Sequence, residues 1–417
     1  MKLTPPKNPN YAATVVSVKA ITDLDNCDNV VGTPLLGYQA IVGKDTQVCD
    51  IGIVFTAETQ LSQEFASLNN LYRHGERNKD KDKAGYLEDH TRVKAIKFRG
   101  HRSDALFLSL SALEYTGADL SNLKPGDTFD YLNGHEICRK YEVKTKIPGQ
   151  KTPQVAKSRV EDKFFPKHFD TENFFRNLGS IDPGTQAVVT QKIHGTSLRV
   201  GNIPVARRLS WLERVAKRLG VKVTETEYSM VYGSRNQTKD ANDPSQAHFY
   251  SSDIWTEKGR AFDGIPEGYL VFAEIVGWTP DGAPIQKGFT YDLPARTSEV
   301  YVYRVAQVNP QGLVVDLSWE QVKGFCKTYG FKVVPELAVT GIYESTAGYI
   351  TEEFLDKDLF RSYPQALRLS KESPCDEGVC IRVDGMTPKV FKAKSPKFLQ
   401  HETKMLDKEV LDIEVDA

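Results

Sequence analysis

The sequence predicts an α+β fold in two parts, an N-terminal β-barrel of OB-like outline and a C-terminal mixed α/β domain built on antiparallel sheets. Three observations predict it. Short apolar-alternating runs, broken by turn-forming residues, crowd the first third of the chain. A stretch rich in Lys, Pro and Gly but without periodicity follows, the composition of an interdomain linker. Beyond it, longer apolar strands alternate with helix-period segments. The expected boundaries are 1–143 for the barrel, 144–163 for the linker and 164–417 for the second domain.

In the N-terminal part, candidate strands fall at 14–21, 37–42, 49–55, 92–98 and 128–140, the last broken by an Asn133-Gly134 hairpin turn. Between them, Phe65, Leu68, Leu71 and Tyr72 recur at helical spacing across 62–74. Several short strands with one helix are the outline of an OB-like barrel. Arg92, Lys94, Lys97, Arg99 and Arg102 surround Phe98 in a basic run. It reads either as the wet face of a strand or as a phosphate-contacting stripe. In the C-terminal part, Thr171 is a candidate cap for a short helix through Phe174 and Leu178. Residues 211–219 read as a basic amphipathic helix, 269–278 and 300–308 as buried strands, and 318–329 and 352–363 as helices.

A net charge of -1 excludes a uniformly basic nucleic-acid coat while leaving room for local basic faces. The cysteines are scattered and form no Cys-x-x-Cys pair, which points to free thiols in a reducing compartment. The amino terminus lacks the apolar core of a signal peptide, and no run reaches membrane-spanning length. The expectation is a soluble, cytoplasmic monomer without a membrane partner. Neither a P-loop nor Gly-x-Gly-x-x-Gly occurs, which argues against a P-loop NTPase or a dinucleotide-binding dehydrogenase.

The chemistry centres on Thr190-Gln191-Lys192-Ile193-His194-Gly195-Thr196. The run Ala187, Val188, Val189 ahead of it reads as a strand. A lysine at a strand end can present its amine to a cleft, and Gly195 lets backbone amides approach a phosphate. Lysine ordinarily titrates at about pH 10, so a nucleophilic role needs neighbouring cations or burial to favour the free amine. Alone, Lys-x-x-Gly fits a surface lysine before a turn equally well.

Four further elements follow in order. Tyr232-Gly233-Ser234-Arg235-Asn236 ends a strand on a Ser-Arg pair, and Phe272-Ala273-Glu274 sets a carboxylate in an apolar strand. Tyr301-Val302-Tyr303 places two aromatics on one face of another strand, because side chains alternate. Asp376-Glu377-Gly378-Val379 then precedes Val390-Phe391-Lys392-Ala393-Lys394, whose two lysines share a side. Singly, Glu274 fits a structural ion pair, Tyr303 ordinary core and the lysines a solvated face. Together they supply a nucleophile, acidic groups for metal and ribose, an aromatic for a base and two cations for phosphate.

This ordered set resembles the covalent nucleotidyltransferase superfamily, in particular ATP-dependent RNA ligases of a nick-sealing branch with an N-terminal OB-like domain. The likeness spans 164–398. Lys192-Ile193-His194-Gly195 stands as the nucleotidyl-lysine motif, Glu274 as the third motif and Tyr301/Tyr303 as the aromatic strand after it. Glu377-Gly378-Val379 stands as the fourth motif and Lys392-Ala393-Lys394 as the fifth. DNA ligases and capping enzymes usually carry Lys-x-Asp-Gly and an OB domain after the fifth motif. Here His194 takes the Asp position and only a short tail follows Lys394, which favours RNA over DNA.

The resemblance implies a nucleotidyltransferase domain using ATP and Mg²⁺ (or Mn²⁺). Its partner would be RNA with nicked or paired ends, including DNA-templated RNA ends. Lys192, Glu377, Lys392 and Lys394 would be catalytic, with Glu377 also the metal residue. Gln191, Ile193, Gly195, Arg235, Glu274, Tyr301 and Tyr303 would bind the nucleotide. Of these, Gln191 would accept from the adenine amino group, Glu274 from a ribose hydroxyl, and Tyr303 is favoured over Tyr301 for stacking. The alternatives are a DNA ligase, a GTP-dependent capping-type enzyme, and a non-enzymatic OB-fold nucleic-acid-binding protein. The lysines and Glu377 speak against the last, since binding alone does not need them.

Overall fold

The computed structural model describes residues 2–143, 159–239, 250 and 252–408. Most of the expected linker, 144–158, lies outside the described residues. The N-terminal part is built on a seven-stranded sheet in the spatial order Thr128–Phe129, Ala13–Ser17, Ile51–Thr56, Ala105–Ser109, Tyr38–Gly43, Val30–Leu35, Thr22–Asp23. Its central strands are buried because one face packs on Phe65, Leu61, Leu113 and Phe129 and the other on Val31, Leu35 and Val42.

The expected OB-like barrel is not there. Among the described residues no sheet closes: the two ends of the seven-stranded sheet are the two-residue strands Thr22–Asp23 and Thr128–Phe129, which pair with their inner neighbours and not with one another. Closing a sheet into a barrel requires a continuous ladder around the circle. Here the contact between Ala105–Ser109 and Tyr38–Gly43 is already reduced to the single pair Ala105↔Ala40. The alternation in the sequence identified strands, but not which edges meet. The strands outside the expected set include two of five or more residues, Val30–Leu35 and Ala105–Ser109, the first hidden because Gly32 and Pro34 read as turn formers. The expected strand 92–98 survives only as Ile96–Phe98, half of a hairpin with His101–Ser103.

The C-terminal part consists of two facing sheets. One has five strands in the order Glu172–Asn173, Lys389–Lys394, Gly378–Val383, Gln186–Lys192, Glu336–Gly341. The other runs Thr238–Lys239, Thr226–Gly233, Thr196–Ala206, Tyr269–Gly277, Ser298–Val308, Val314–Asp316, with Lys332–Val333 beside Ser298–Val308. The short helix Phe174–Asn177 is capped by Asn173, whose side chain accepts from the Arg176 N–H at 3.0 Å, and not by Thr171. The helix Trp319–Tyr329 starts on a capping box: Ser318 Oγ accepts from Gln321 N–H and Gln321 Oε1 from Ser318 N–H. It ends on Gly330 in the left-handed conformation. The expected helix 352–363 is broken into a π-helical turn, Thr351–Leu355, and one turn of α-helix, Leu359–Ser362. Finally, Pro396–Asp407 forms a helix that bridges the two parts of the molecule, with Leu399 packed against Ala57 and Ala95.

Candidate active site

The lysine motif occupies a crossing. Lys192 ends a strand of the five-stranded sheet, and four residues later Thr196 begins a strand of the other sheet. Four hydrogen bonds fix the crossing. His194 N–H donates to Tyr291 Oη at 2.6 Å, and Gly195 N–H donates to Glu274 Oε1 at 3.1 Å. Ser197 Oγ donates to Glu274 Oε2 at 3.3 Å, and Gln286 Nε2 donates to Gly195 O at 2.8 Å. A Cβ on Gly195 would stand 2.2 Å from the Ile275 carbonyl oxygen, so glycine is required here by the approach of the neighbouring strand. The sequence reading gave that glycine to a phosphate and Glu274 to a ribose. In the structure both serve first to hold the strand end that carries Lys192.

Sheet register then sets the charges in rows. Lys192 pairs across Gly378 to Lys394, and Thr190 across Cys380 to Lys392. Two residues apart on one strand, Lys392 and Lys394 face the same way, as alternation demands, and both line the cleft. Lys192 Nζ lies 2.7 Å from Glu377 Oε1, and His194 Nδ1 lies 3.5 Å from Glu377 Oε2. Burial pushes the Glu377 carboxyl up, but Lys192, His194 and Lys394 together outweigh burial and hold it well below the usual carboxylate range. Lys394 Nζ is 2.7 Å from Glu402 Oε1. Burial alone would discharge Lys394, yet Glu402, Tyr11 and Glu377 raise it well above the ordinary lysine value.

A cavity of about 590 Å³ opens between the sheets and reaches the N-terminal part. Lys192, Gln191, Ile193, Arg235, Glu274, Tyr303, Glu377, Lys392 and Lys394 all line it; Gly195 and Tyr301 do not. The two tyrosines do not share a face in the expected way, because the strand is bulged. Ala273 pairs with Val302 and Phe272 with Arg304, so Tyr303 is the extra residue of the bulge. Tyr301 is buried, and its hydroxyl donates to Glu299. Tyr303 instead meets His168 edge-on at 5.0 Å, beside Phe169 and Phe272. Burial, then the charges of Arg304, Arg235 and Lys192, hold His168 well below its ordinary value, so this aromatic wall is neutral at its imidazole.

Gln191 departs from its expected part. Its Oε1 accepts from Leu367 N–H at 2.7 Å and its Nε2 donates to Asp376 Oδ1 at 2.9 Å, so the amide ties the 367 loop and the residue before Glu377 to the lysine strand. Arg235 pairs with Asp170 at the cavity wall. Several lining residues carried no usable signal in the sequence. Arg304 and Arg382 sit inside strands as any structural arginine does, and His401 and Glu402 arrive on a helix whose docking only the fold reveals. Among the described residues no three His, Cys, Asp or Glu side chains converge as a metal site. The described residues include no helix long and apolar enough to cross a membrane.

A family model described as RNA ligase matches residues 185–394, just over half of the chain and from the lysine strand through the last cleft lysine. The chain belongs to the RNA ligase family. No curated protein matches it. Among solved structures, the Naegleria gruberi RNA ligase with pyrophosphate is similar at 15% identity with a TM-score of 0.58, covering 94% of this chain and 98% of that one. A lysine-to-alanine mutant of the same enzyme, solved with ATP and Mn, gives 15% identity and a TM-score of 0.56, covering 95% and 99%. At that identity the likeness speaks for the fold, and it extends through the N-terminal part as well as the family-defining region. An RNA ligase fold therefore places the two sheets, the crossing lysine and the paired cations in one cleft.

The basic run of the N-terminal part is resolved differently. Arg92 is buried against Glu58 at 2.6 Å, and Lys94 pairs with Glu88 and Asp407. Arg99 donates to the Asn26 carbonyl, and Arg102 pairs with Asp104 at 2.8 Å. Four of its five cations are thus engaged by protein groups. The amphipathic helix Trp211–Arg218 buries no residue and lies off the cavity.

Proposed function

We propose that the protein is an ATP-dependent RNA ligase that joins a 3′-hydroxyl to a 5′-phosphate through a lysyl-AMP intermediate and an adenylylated 5′ end. The observation that carries the reading is Lys192 at the end of a strand, buried against Glu377 and in register with two further cleft lysines. In the first step the Lys192 amine attacks the α-phosphorus of ATP. A P–N bond forms, the P–O bond to pyrophosphate breaks, and the proton leaves the amine. AMP then passes to the RNA 5′-phosphate, and the 3′-hydroxyl displaces it to form the phosphodiester. The ligands of the similar Naegleria structures, ATP, AMP, pyrophosphate and Mn, support this nucleotide chemistry.

The residues divide the work. Lys392 and Lys394 neutralise phosphate oxygens, where positioned charge supplies most of the acceleration in phosphoryl-type transfer. The same cations disfavour the ammonium form of Lys192 once it leaves Glu377. Tyr303, on its bulge, stacks on the base, and Arg235 binds a ribose or phosphate group. With Gln191 held by Leu367, its amide is the weakest of the expected nucleotide contacts. Mg²⁺ or Mn²⁺ fits as a companion of the triphosphate, since such ions are commonly held by one or two carboxylates plus substrate phosphates. Glu377, with one oxygen turned from Lys192 towards His194, would hold its water, and the ion would supply charge neutralisation at the α-phosphate.

Functionally the chain divides into an N-terminal part that closes the cleft and a nucleotidyltransferase part from residue 164. Nicked or paired RNA ends are the substrates this reading favours. Sealing assays with nicked RNA, nicked DNA and DNA-templated RNA, each with ATP or GTP, test it. Sealing of RNA with ATP is expected. Sealing of DNA alone, or with GTP alone, would replace it with the corresponding enzyme.

A further inference from the structure

The cleft holds four mostly buried groups of alternating charge, Lys192, Glu377, Lys394 and Glu402. They divide into two pairs, each with its nitrogen and oxygen 2.7 Å apart. The second pair depends on the C-terminal helix. Its N-cap, Ser395, directly follows Lys394; Ser395 Oγ accepts from Phe398 N–H at 3.0 Å and donates to the Asp376 carbonyl at 2.8 Å. The helix start is therefore tied to the residue before Glu377. Two turns on, Glu402 faces the cleft while Thr403 faces the N-terminal part. Thr403 Oγ1 donates to Glu58 Oε1 at 2.7 Å and accepts from Ala95 N–H at 3.0 Å. At the end of the helix Asp407 pairs with Arg92 and Lys94. Glu402 is thus held in place from both sides of the molecule.

The charged and titratable groups around Lys394 come from every element packed on it. They are Glu402 from the helix, Tyr11 and Tyr38 from the N-terminal part, and Glu377 from the adjoining strand. Glu377 is therefore the other carboxylate able to draw the Lys394 ammonium. A lysine carries four flexible methylenes, and its buried charge needs a counter-charge. Without Glu402, two lysines would compete for Glu377.

We propose that Glu402 is a positioning residue for Lys394, holding its ammonium away from Glu377 so that both cleft lysines stay separately available to the α-phosphate. The proposal rests on the reading of Lys394 as a phosphate-binding group. Glu402 acts through Lys394 and has no contact with the nucleotide of its own. Its loss should therefore slow the chemical step more than it weakens ATP binding.

The test is single-turnover transfer of labelled AMP from α-labelled ATP to the full-length protein, measured over a range of ATP concentrations. Wild type, E402A, E402Q and K192A are compared, with thermal unfolding followed for each. E402A should lower the maximal rate about tenfold or more, with the ATP concentration at half-maximal rate changed less than about threefold. E402Q keeps an oxygen for the Lys394 N–H but not the counter-charge, and should recover part of the loss. A wild-type rate in E402A, a loss confined to ATP affinity, or an equal defect in E402A and E402Q would each overturn the proposal. If instead wild type takes up no label, or K192A takes up as much, it is the ligase reading that fails.

Discussion

Two buried ion pairs of almost equal length sit in different parts of this molecule and do different things. In the N-terminal part, Arg92 meets Glu58 at 2.6 Å; in the cleft, Lys192 meets Glu377 at 2.7 Å. Glu58 reaches the same cavity, but further protein groups hold the first pair, Asp407 on Arg92 and Thr403 on Glu58. The second lies on a cavity, shared with His194, and its lysine ends a strand whose next residues cross to another sheet. A closed pair has nothing left to offer a substrate, whereas an open one can exchange its partner for a phosphate. The comparison teaches that a buried salt bridge becomes chemical through its unfilled surroundings, not through its length or burial.

Substitution can break this contrast in four ways. The largest effect belongs to Lys192→Ala, which should abolish labelling by α-labelled ATP in protein that still unfolds cooperatively, though at a lower temperature because Glu377 loses its partner. Next, Lys394→Ala should slow AMP transfer by about 10²-fold, the scale of losing one preorganised charge in a transfer site. Rapid-quench kinetics would read this, and an unchanged rate would move Lys394 to the structural side of the comparison. Arg92→Met should do the opposite. Leaving Glu58 buried and unpaired should cost about 3–5 kcal/mol in denaturant unfolding, with AMP transfer slowed far less than in Lys394→Ala, because Asp407 keeps Lys94 and the helix keeps its cap on Ser395.

The smallest effect is in pH dependence, and it has opposite signs in the two regions. Glu377 is held low in the folded chain, so the stability its pair contributes is present above the ordinary carboxylate range and is lost only as the pH falls through its folded value. Asp104, in the N-terminal sheet, is pushed up to about 6, because burial outweighs Arg102 and the Gln39 N–H. Ionised Asp104 therefore costs stability above that value, and the cost disappears as the pH falls towards its ordinary 3.8. Asp104→Asn should flatten unfolding free energy between about pH 4 and 6, and Glu377→Gln should remove the acid-side loss. A slope in the first case that survives the substitution would assign it to another group.

The cleft was more legible in the sequence than the fold around it, for a physical reason. A transfer site needs specific residue types at strand ends and on one strand face, and such spacing is visible in one dimension. Lys192, Glu377, Lys392 and Lys394 accordingly come together as their order implied. Barrel closure depends on which edges meet, and nothing local in 22–23 or 128–129 says that these edges stay apart. The bulge that isolates Tyr303 was invisible because alternation assumes an unbroken ladder. A second demand on Gly195 was hidden as well, the close approach of the Ile275 carbonyl on a strand 80 residues later. Glu402 could not be singled out at all: on a helix, one glutamate among many gains meaning only from the lysine it reaches.

Mass spectrometry of the purified protein after incubation with ATP and Mg²⁺ tests the central claim most directly. AMP joined to the side chain of Lys192, absent from Lys192→Ala and discharged by a 5′-phosphorylated RNA end, is the expected result. AMP on another residue, or no adduct while RNA is nonetheless sealed, would contradict it.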